Sequence, residues 1–378
     1  MFHYWSDISP ESHVFSFQLA WLYSEVVNGA ADFHEIHRAA RYIRPGNRDD
    51  WYNEFSKMGD RLHGIAVEAE RKGHAATASS SYFRAFTYYR SAERVLAGDD
   101  PRKLPFYHKA VTCFRQGLDL SSHPHERVLI PFDGKQLEGY FYPARERIRS
   151  TPTPCVLFLS GADALPEENF FRSVQQITAR GSACLVFNGP GQGHTLRVLN
   201  MPTIPDYERP VGAAVDYLMT RNDIDHDAIG LLGVSFAGYY GPRAVAFERR
   251  IKACVAWGAL YDVLHDLYDY YPPLHNQLNW IVGARTNAEA REKYARFTLE
   301  GLLPEVRCPM LITHGVADRM VPLASAQRTF DELAVKDKEL RLYDREEGGA
   351  EHCSMDNWSQ VIPYQADWLL DRLFALQR

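Results

Sequence analysis

With 378 residues, 46% hydrophobic and 24% charged, the chain can bury one large core or two smaller ones. A formal net charge of -6 argues against a general nucleic-acid binder, which needs a basic face. A mean hydropathy of -0.35 and the lack of any apolar run of bilayer length argue against a membrane protein. The opening residues, MFHYWSDISPES, carry neither the basic nor the apolar part of a secretory signal. Cysteines stand at 113, 155, 184, 254, 308 and 353, with no C-x-x-C pair and no zinc spacing. Reduced thiols, a cytoplasmic location and chemistry without metal or cofactor are therefore expected. His123-Pro-His125 has no carboxylate placed to complete a site and reads as surface.

Up to residue 124 the signals are helical. Apolar residues recur at three- and four-residue steps over Trp51–Lys72, Ala75–Leu96 and Lys103–Gln116, with Asp99, Asp100 and Pro101 as punctuation. No fixed period supports a helical repeat array, so residues 1–124 read as a helical cap or accessory domain. From residue 125 to 378 the rhythm is strand, loop, helix. Arg127–Phe132 and Leu137–Tyr142, joined through Asp133-Gly134, read as a hairpin. Six short apolar runs follow: Cys155–Leu159, Ala183–Phe187, Ile229–Leu232, Ala253–Trp257, Met310–Thr313 and Leu340–Tyr343. With helical patterns between them, they predict an α/β fold with a mostly parallel, doubly wound sheet. Residues 262–303 interrupt the rhythm with aromatics and a predicted helix, Ala288–Leu302, and read as a lid insertion over the strand ends.

Three strand ends carry chemistry. Gly233-Val234-Ser235-Phe236-Ala237-Gly238 follows Ile229–Leu232 and precedes a predicted helix, Tyr239–Glu248. That strand-to-helix context is what a nucleophile elbow requires, with Ala237 where glycine is commoner. Asp318 follows Met310–Thr313 in a loop and is the candidate acid, Asp262 being its runner-up. His352 follows Leu340–Tyr343 in a glycine loop that would let an imidazole swing into reach, and is the candidate base. His314 is its rival but reads as a packed residue at a strand end. The order Ser, Asp, His is the order this fold imposes.

The N–H of Phe236 would be one oxyanion donor, and the loop Ser160-Gly161-Ala162-Asp163 would supply the second through Ala162. Pro166-Glu167-Glu168 reads as a helix start whose acids offset the dipole rather than act in catalysis. Asn188-Gly189-Pro190-Gly191-Gln192-Gly193 imitates a dinucleotide loop, but Pro190 and the lack of a following acid favour a tight turn near the site mouth. Tyr239, Tyr240, Asp266 and Asp269 are candidates for lining a pocket for an aromatic substrate.

The elbow, the Asn-Gly-Pro-Gly-Gln-Gly turn, the strand Cys254-Val-Ala-Trp-Gly258 and the loop His314-Gly-Val-Ala-Asp318 together resemble α/β-hydrolases with an N-terminal helical domain. Dihydroxypseudooxynicotine hydrolase and the fungal hydrolases that shorten polyketide pigment precursors are of this kind. The resemblance covers roughly residues 125–378; the helical part matches only in length and character. It implies a triad of Ser235, Asp318 and His352, a pocket covered by the N-terminal helices and the insertion, and hydrolysis of a carbon–carbon bond next to a ketone. Helical caps of this kind often host self-association, which suggests a homodimer. An esterase, thioesterase or acyltransferase using the same three residues is the alternative. A non-catalytic binding module is the remote one, disfavoured by the intact set.

Overall fold

Residues 12–145 and 152–377 are described in the computed structural model, and they divide into two units, Met1–His123 and Pro124–Arg378. The first is helical: α1 (His13–Glu25), α2 (Phe33–Ala40), α3 (Arg48–Arg71), α4 (Ala75–Arg94) and α5 (Lys103–Leu120). Helices α3 to α5 are the three whose periodicity was strongest. The short α2 is announced only by its cap: Asp32 accepts from the N–H groups of His34 and Glu35. Trp51, Phe55, Tyr88 and Phe114 are buried in this unit. The fully buried Glu93 is matched by two cations, Arg90 and Lys103 (3.0 Å), as burying a carboxylate demands.

The second unit holds a sheet of β1 (Glu126–Phe132), β2 (Lys135–Tyr142), β3 (Thr153–Leu159), β4 (Ala183–Phe187), β5 (Ile224–Val234), β6 (Ile251–Trp257), β7 (Met310–Gly315) and β8 (Lys338–Tyr343). Its order is β1-β2-β4-β3-β5-β6-β7-β8. Strands β1, β2 and β4 pair antiparallel, and all pairs from β4-β3 to β7-β8 are parallel. The hairpin turns on Asp133 and Gly134, both at positive φ (46° and 72°), as a two-residue turn matched to strand twist needs. The interior strand β4 is buried throughout, whereas the edge strand β1 alternates, which is the pattern of a sheet covered on both faces except at its rim.

Helices cover the sheet: α6 (Pro166–Asn169), α7 (Gln175–Ala179), α8 (Gly193–Arg197), α9 (Glu208–Met219), α10 (Ala237–Phe247), α13 (Leu323–Glu332) and α14 (Trp358–Ala375), with α11 (His275–Val282) and α12 (Asn287–Tyr294) inside the insertion. The helix predicted to reach Leu302 stops at Tyr294. Beyond it Thr298 bridges Asp262, with Val263 N–H donating to Phe297 (2.9 Å) and Leu299 N–H to Tyr261 (2.9 Å). These long-range backbone bonds close the neck of the insertion and replace further helical turns. Among the described residues no helix is long and apolar enough to cross a membrane.

Register brings the strand ends together. Leu159 faces Gly233, Val234 faces Trp257, Trp257 faces Thr313, and Gly315 faces Tyr343. The chain runs from β3 out to β4 and back across β3 to β5, so the loops after β3 and β5 leave a switch point side by side.

Candidate active site

Strand β5 delivers Ser235 at the head of α10. Its φ of 59° is a left-handed conformation that a non-glycine residue adopts at a cost of about 1–3 kcal/mol, and which turns the side chain out of the strand-to-helix corner. The corner is fixed by Ser235 N–H donating to Trp257 O (2.8 Å) and Gly238 N–H to Ser235 O (2.6 Å). A methyl on Gly233 would lie 2.4 Å from the carbonyl oxygen of Ala237 and 3.2 Å from its Cβ. Only a very small pair fits there, and alanine at 237 is small enough.

His352 stands in the turn after β8. Its Nε2 lies 2.8 Å from Ser235 Oγ and its Nδ1 2.6 Å from Asp318 Oδ2. With Nδ1–H donated to the carboxylate, Nε2 is left to accept the serine proton. The other carboxylate oxygen, Oδ1, accepts from the N–H groups of Met320 (2.8 Å) and Val321 (2.9 Å), which fixes the acid. Both partners are buried. Desolvation opposes the imidazolium, but the charge and hydrogen bond of Asp318, together with Cys353, outweigh it and hold His352 well above the ordinary histidine value. Burial likewise opposes a charge on Asp318, and the facing His352 overrides it and keeps the acid below its usual range.

The loop carrying His352 does not swing freely, contrary to what its glycines suggest. Asp356 gathers the N–H groups of Gly349 (2.8 Å), Ala350 (3.3 Å) and Glu351 (3.2 Å) on one carboxylate, and Trp358 Nε1–H donates to Cys353 O (3.1 Å). Sequence reasoning missed Asp356; an acid a few residues after a Gly-Gly pair was the available signal. His314 is buried at the end of β7, with Nε2 3.2 Å from Val321 O and 3.8 Å from Asp318 Oδ2. The runner-up acid, Asp262, instead accepts from His265 N–H (2.9 Å) at the neck of the insertion.

The loop after β3 abuts the serine: a methyl on Gly161 would lie 3.0 Å from Ser235 Cβ and 3.5 Å from its Oγ. Among the described residues, the N–H groups of Phe236 and Ala162 meet no protein acceptor. Phe236 is buried and Ala162 half-buried, and a developing oxyanion is one partner that such donors can take. Phe236 packs against Tyr240 (5.0 Å between ring centroids) and against Tyr294 (6.2 Å) and Phe297 (6.3 Å) of the insertion.

Each of the four pocket candidates has hydrogen-bond or ion-pair partners of its own. Tyr239 is buried and its hydroxyl donates to Pro205 O (2.9 Å). Tyr240 stacks on Tyr207 at 3.5 Å and shares a hydrogen bond with Thr203 Oγ1 (2.5 Å). Asp266 accepts from Ser325 Oγ (2.7 Å) and from Asp262 N–H (3.2 Å), and burial raises its pKa. Asp269 pairs with Arg291. The helix-start acids are buried too. Glu168 accepts from Leu165 N–H (2.8 Å) and pairs with Arg172 (3.0 Å), while Glu167 accepts from the Tyr140 hydroxyl (2.9 Å).

Residues 168–372 match the prolyl oligopeptidase family. The α/β-hydrolase ucsC of an Acremonium species is 32% identical over 285 residues, covering 69% of this chain and 57% of its own length, so the chain spans little more than half of that relative. The α/β-hydrolase psoB of Aspergillus fumigatus is 28% identical and covers 97% of this chain and 95% of its own. Among solved structures, 2,6-dihydroxy-pseudo-oxynicotine hydrolase superposes with a TM-score of 0.80 at 27% identity, over 93% of this chain and 96% of that one. A mostly parallel sheet with Ser235, Asp318 and His352 after β5, β7 and β8, together with these matches, shows that the chain belongs to the prolyl oligopeptidase family of α/β-hydrolases.

Proposed function

We propose that the protein is a serine hydrolase that cleaves a carbon–carbon bond next to a ketone in an aromatic or polyketide-like small molecule. The observation that carries the serine chemistry is the unbroken chain from Ser235 Oγ to His352 to Asp318, at 2.8 and 2.6 Å, on a serine held at positive φ. In this reading His352 takes the Ser235 proton as Oγ attacks the carbonyl carbon, and the oxyanion rests on the N–H groups of Phe236 and Ala162. Collapse of that intermediate breaks the carbon–carbon bond and sends its electron pair to the departing carbon as an enolate. The imidazolium protonates that carbon, and water then releases the acyl group from Ser235 with His352 again as base.

The choice of bond is supported by likeness over nearly the whole chain to 2,6-dihydroxy-pseudo-oxynicotine hydrolase and by the resemblance to polyketide-shortening enzymes. The same three residues would equally serve an esterase or thioesterase. Incubation with a panel of aryl β-diketones and simple aryl esters, with product analysis, separates the two. Diketone cleavage to an acid and a ketone is expected; ester turnover with intact diketones overturns the carbon–carbon assignment and leaves the serine chemistry in place.

A further inference from the structure

The turn Asn188–Gly193 has no part in the mechanism above, yet its geometry is specific. Gln192 is buried, and its Nε2 donates to the carbonyls of Ser160 (2.5 Å) and Gly161 (3.2 Å) in the loop after β3. Its Oε1 accepts from Gly189 N–H (3.2 Å), which fixes which end of the amide faces that loop. The turn is itself held. Asn188 Oδ1 accepts from His194 N–H (2.9 Å), Asn188 Nδ2 donates to Glu138 O (3.0 Å), and Thr195 Oγ1 donates to Gln192 O (2.6 Å).

The carbonyl of Gly161 and the N–H of Ala162 belong to one peptide group. Because a trans peptide is planar, its C=O and N–H point in opposite directions. A donor that pins the carbonyl therefore aims the N–H, and drawing electron density onto that oxygen strengthens the N–H as a donor. We propose that Gln192 is a positioning residue that sets the oxyanion-binding loop, acting through the Gly161–Ala162 peptide rather than touching the substrate. The proposal rests on the reading of Ser235 as nucleophile and Ala162 N–H as oxyanion donor.

The test is covalent labelling with an alkyl fluorophosphonate, in which Ser235 Oγ attacks phosphorus, fluoride leaves, the serine proton goes to His352 and the phosphoryl oxygen takes the oxyanion's place. The variants are Gln192→Met, which keeps the volume without the donors, and Gln192→Glu, which keeps the acceptor for Gly189. For both, the limiting labelling rate is expected to fall about 10- to 100-fold, a share of the roughly 10²–10³ that loss of one oxyanion donor removes. The half-saturating concentration should stay within about threefold, as only transition-state binding changes. If Gln192→Met does not fold, Gln192→Glu carries the same expectation. Labelling of either folded variant at the wild-type rate, even with a lowered Tm, overturns the positioning role and leaves Gln192 as a packing residue. Absence of labelling in the wild type, or labelling that persists in Ser235→Ala, overturns the nucleophile reading itself and the proposal with it.

Discussion

His352 in the turn after β8 and His314 at the end of β7 are both buried against Asp318, at 2.6 and 3.8 Å, and the protein drives them in opposite directions. For His314 burial dominates and, with the charge of His352, lowers the pKa, because Asp318 lies beyond hydrogen-bond distance and the Val321 carbonyl opposes the shift only weakly. For His352 burial is overridden by the charge of Asp318, whose carboxylate also accepts Nδ1–H directly, together with Cys353. One carboxylate thus yields a histidine that readily takes a proton and one that resists it. The direct hydrogen bond to the carboxylate and the neighbouring charges separate them, since both are buried, and the pair teaches that proximity to an acid does not by itself make a base.

The severest way to break this comparison is to remove what only His352 touches. Ser235→Ala and His352→Ala should each lower turnover by on the order of 10⁴–10⁶-fold while circular dichroism stays native; a fully active Ser235→Ala ends the assignment. Asp318→Asn should cost about 10⁴-fold, because the amide favours the wrong imidazole tautomer. The same variant should bring the acid-side inflection of the rate down toward the ordinary histidine value of 6.5, and an unmoved inflection would show that Asp318 does not set it.

In the wild type, kcat/KM should rise with pH through an inflection above 6.5, as His352 loses its proton. Stability should move the other way. A raised folded pKa contributes stability that is complete below about pH 6.5 and is lost as pH climbs through the folded value. His314, with its lowered pKa, gives the mirror image: its share is complete above about 6.5 and is lost as pH falls. Thermal melts of His352→Gln and His314→Gln across pH 5 to 9 would expose the two opposite slopes, and parallel slopes would collapse the distinction. The smallest expected effect is on activity in His314→Gln, less than about tenfold, accompanied by roughly 1–3 kcal/mol of lost stability from the Val321 carbonyl it serves.

Much of this arrangement was legible in the sequence because each of the three residues follows an apolar strand, and strands that align in parallel bring their ends to one edge. The hairpin at Asp133-Gly134 and the helix starting at Pro166 were legible for equally local reasons: turn chemistry and a proline at the first helical position. What stayed hidden depends on distant partners. Nothing near Gln192 in the chain says that its amide will meet Ser160, and nothing near Asp266 says that it will be taken up by Ser325. Helix α1 has almost no polar face, with Phe15, Leu19, Trp21 and Leu22 all buried, so the periodicity that betrays an amphipathic helix is missing. Strand β5 begins at Ile224, five residues before its apolar run, because Asp225, His226 and Asp227 disguise its outer half.

The closed neck of the insertion carries a consequence for how this enzyme can vary. Entry and exit are stitched by the Asp262–Thr298 bridge, while Ile281 O accepts from Thr203 N–H (2.9 Å) and Asp266 from Ser325 Oγ (2.7 Å), which tie the segment to the rest of the unit. Its side chains are tied as well, since Tyr294 and Phe297 rest on Phe236, the residue next to the serine. Sequence change in this segment is therefore constrained to keep two aromatic rings where they are, while the exposed Tyr270 is open to change.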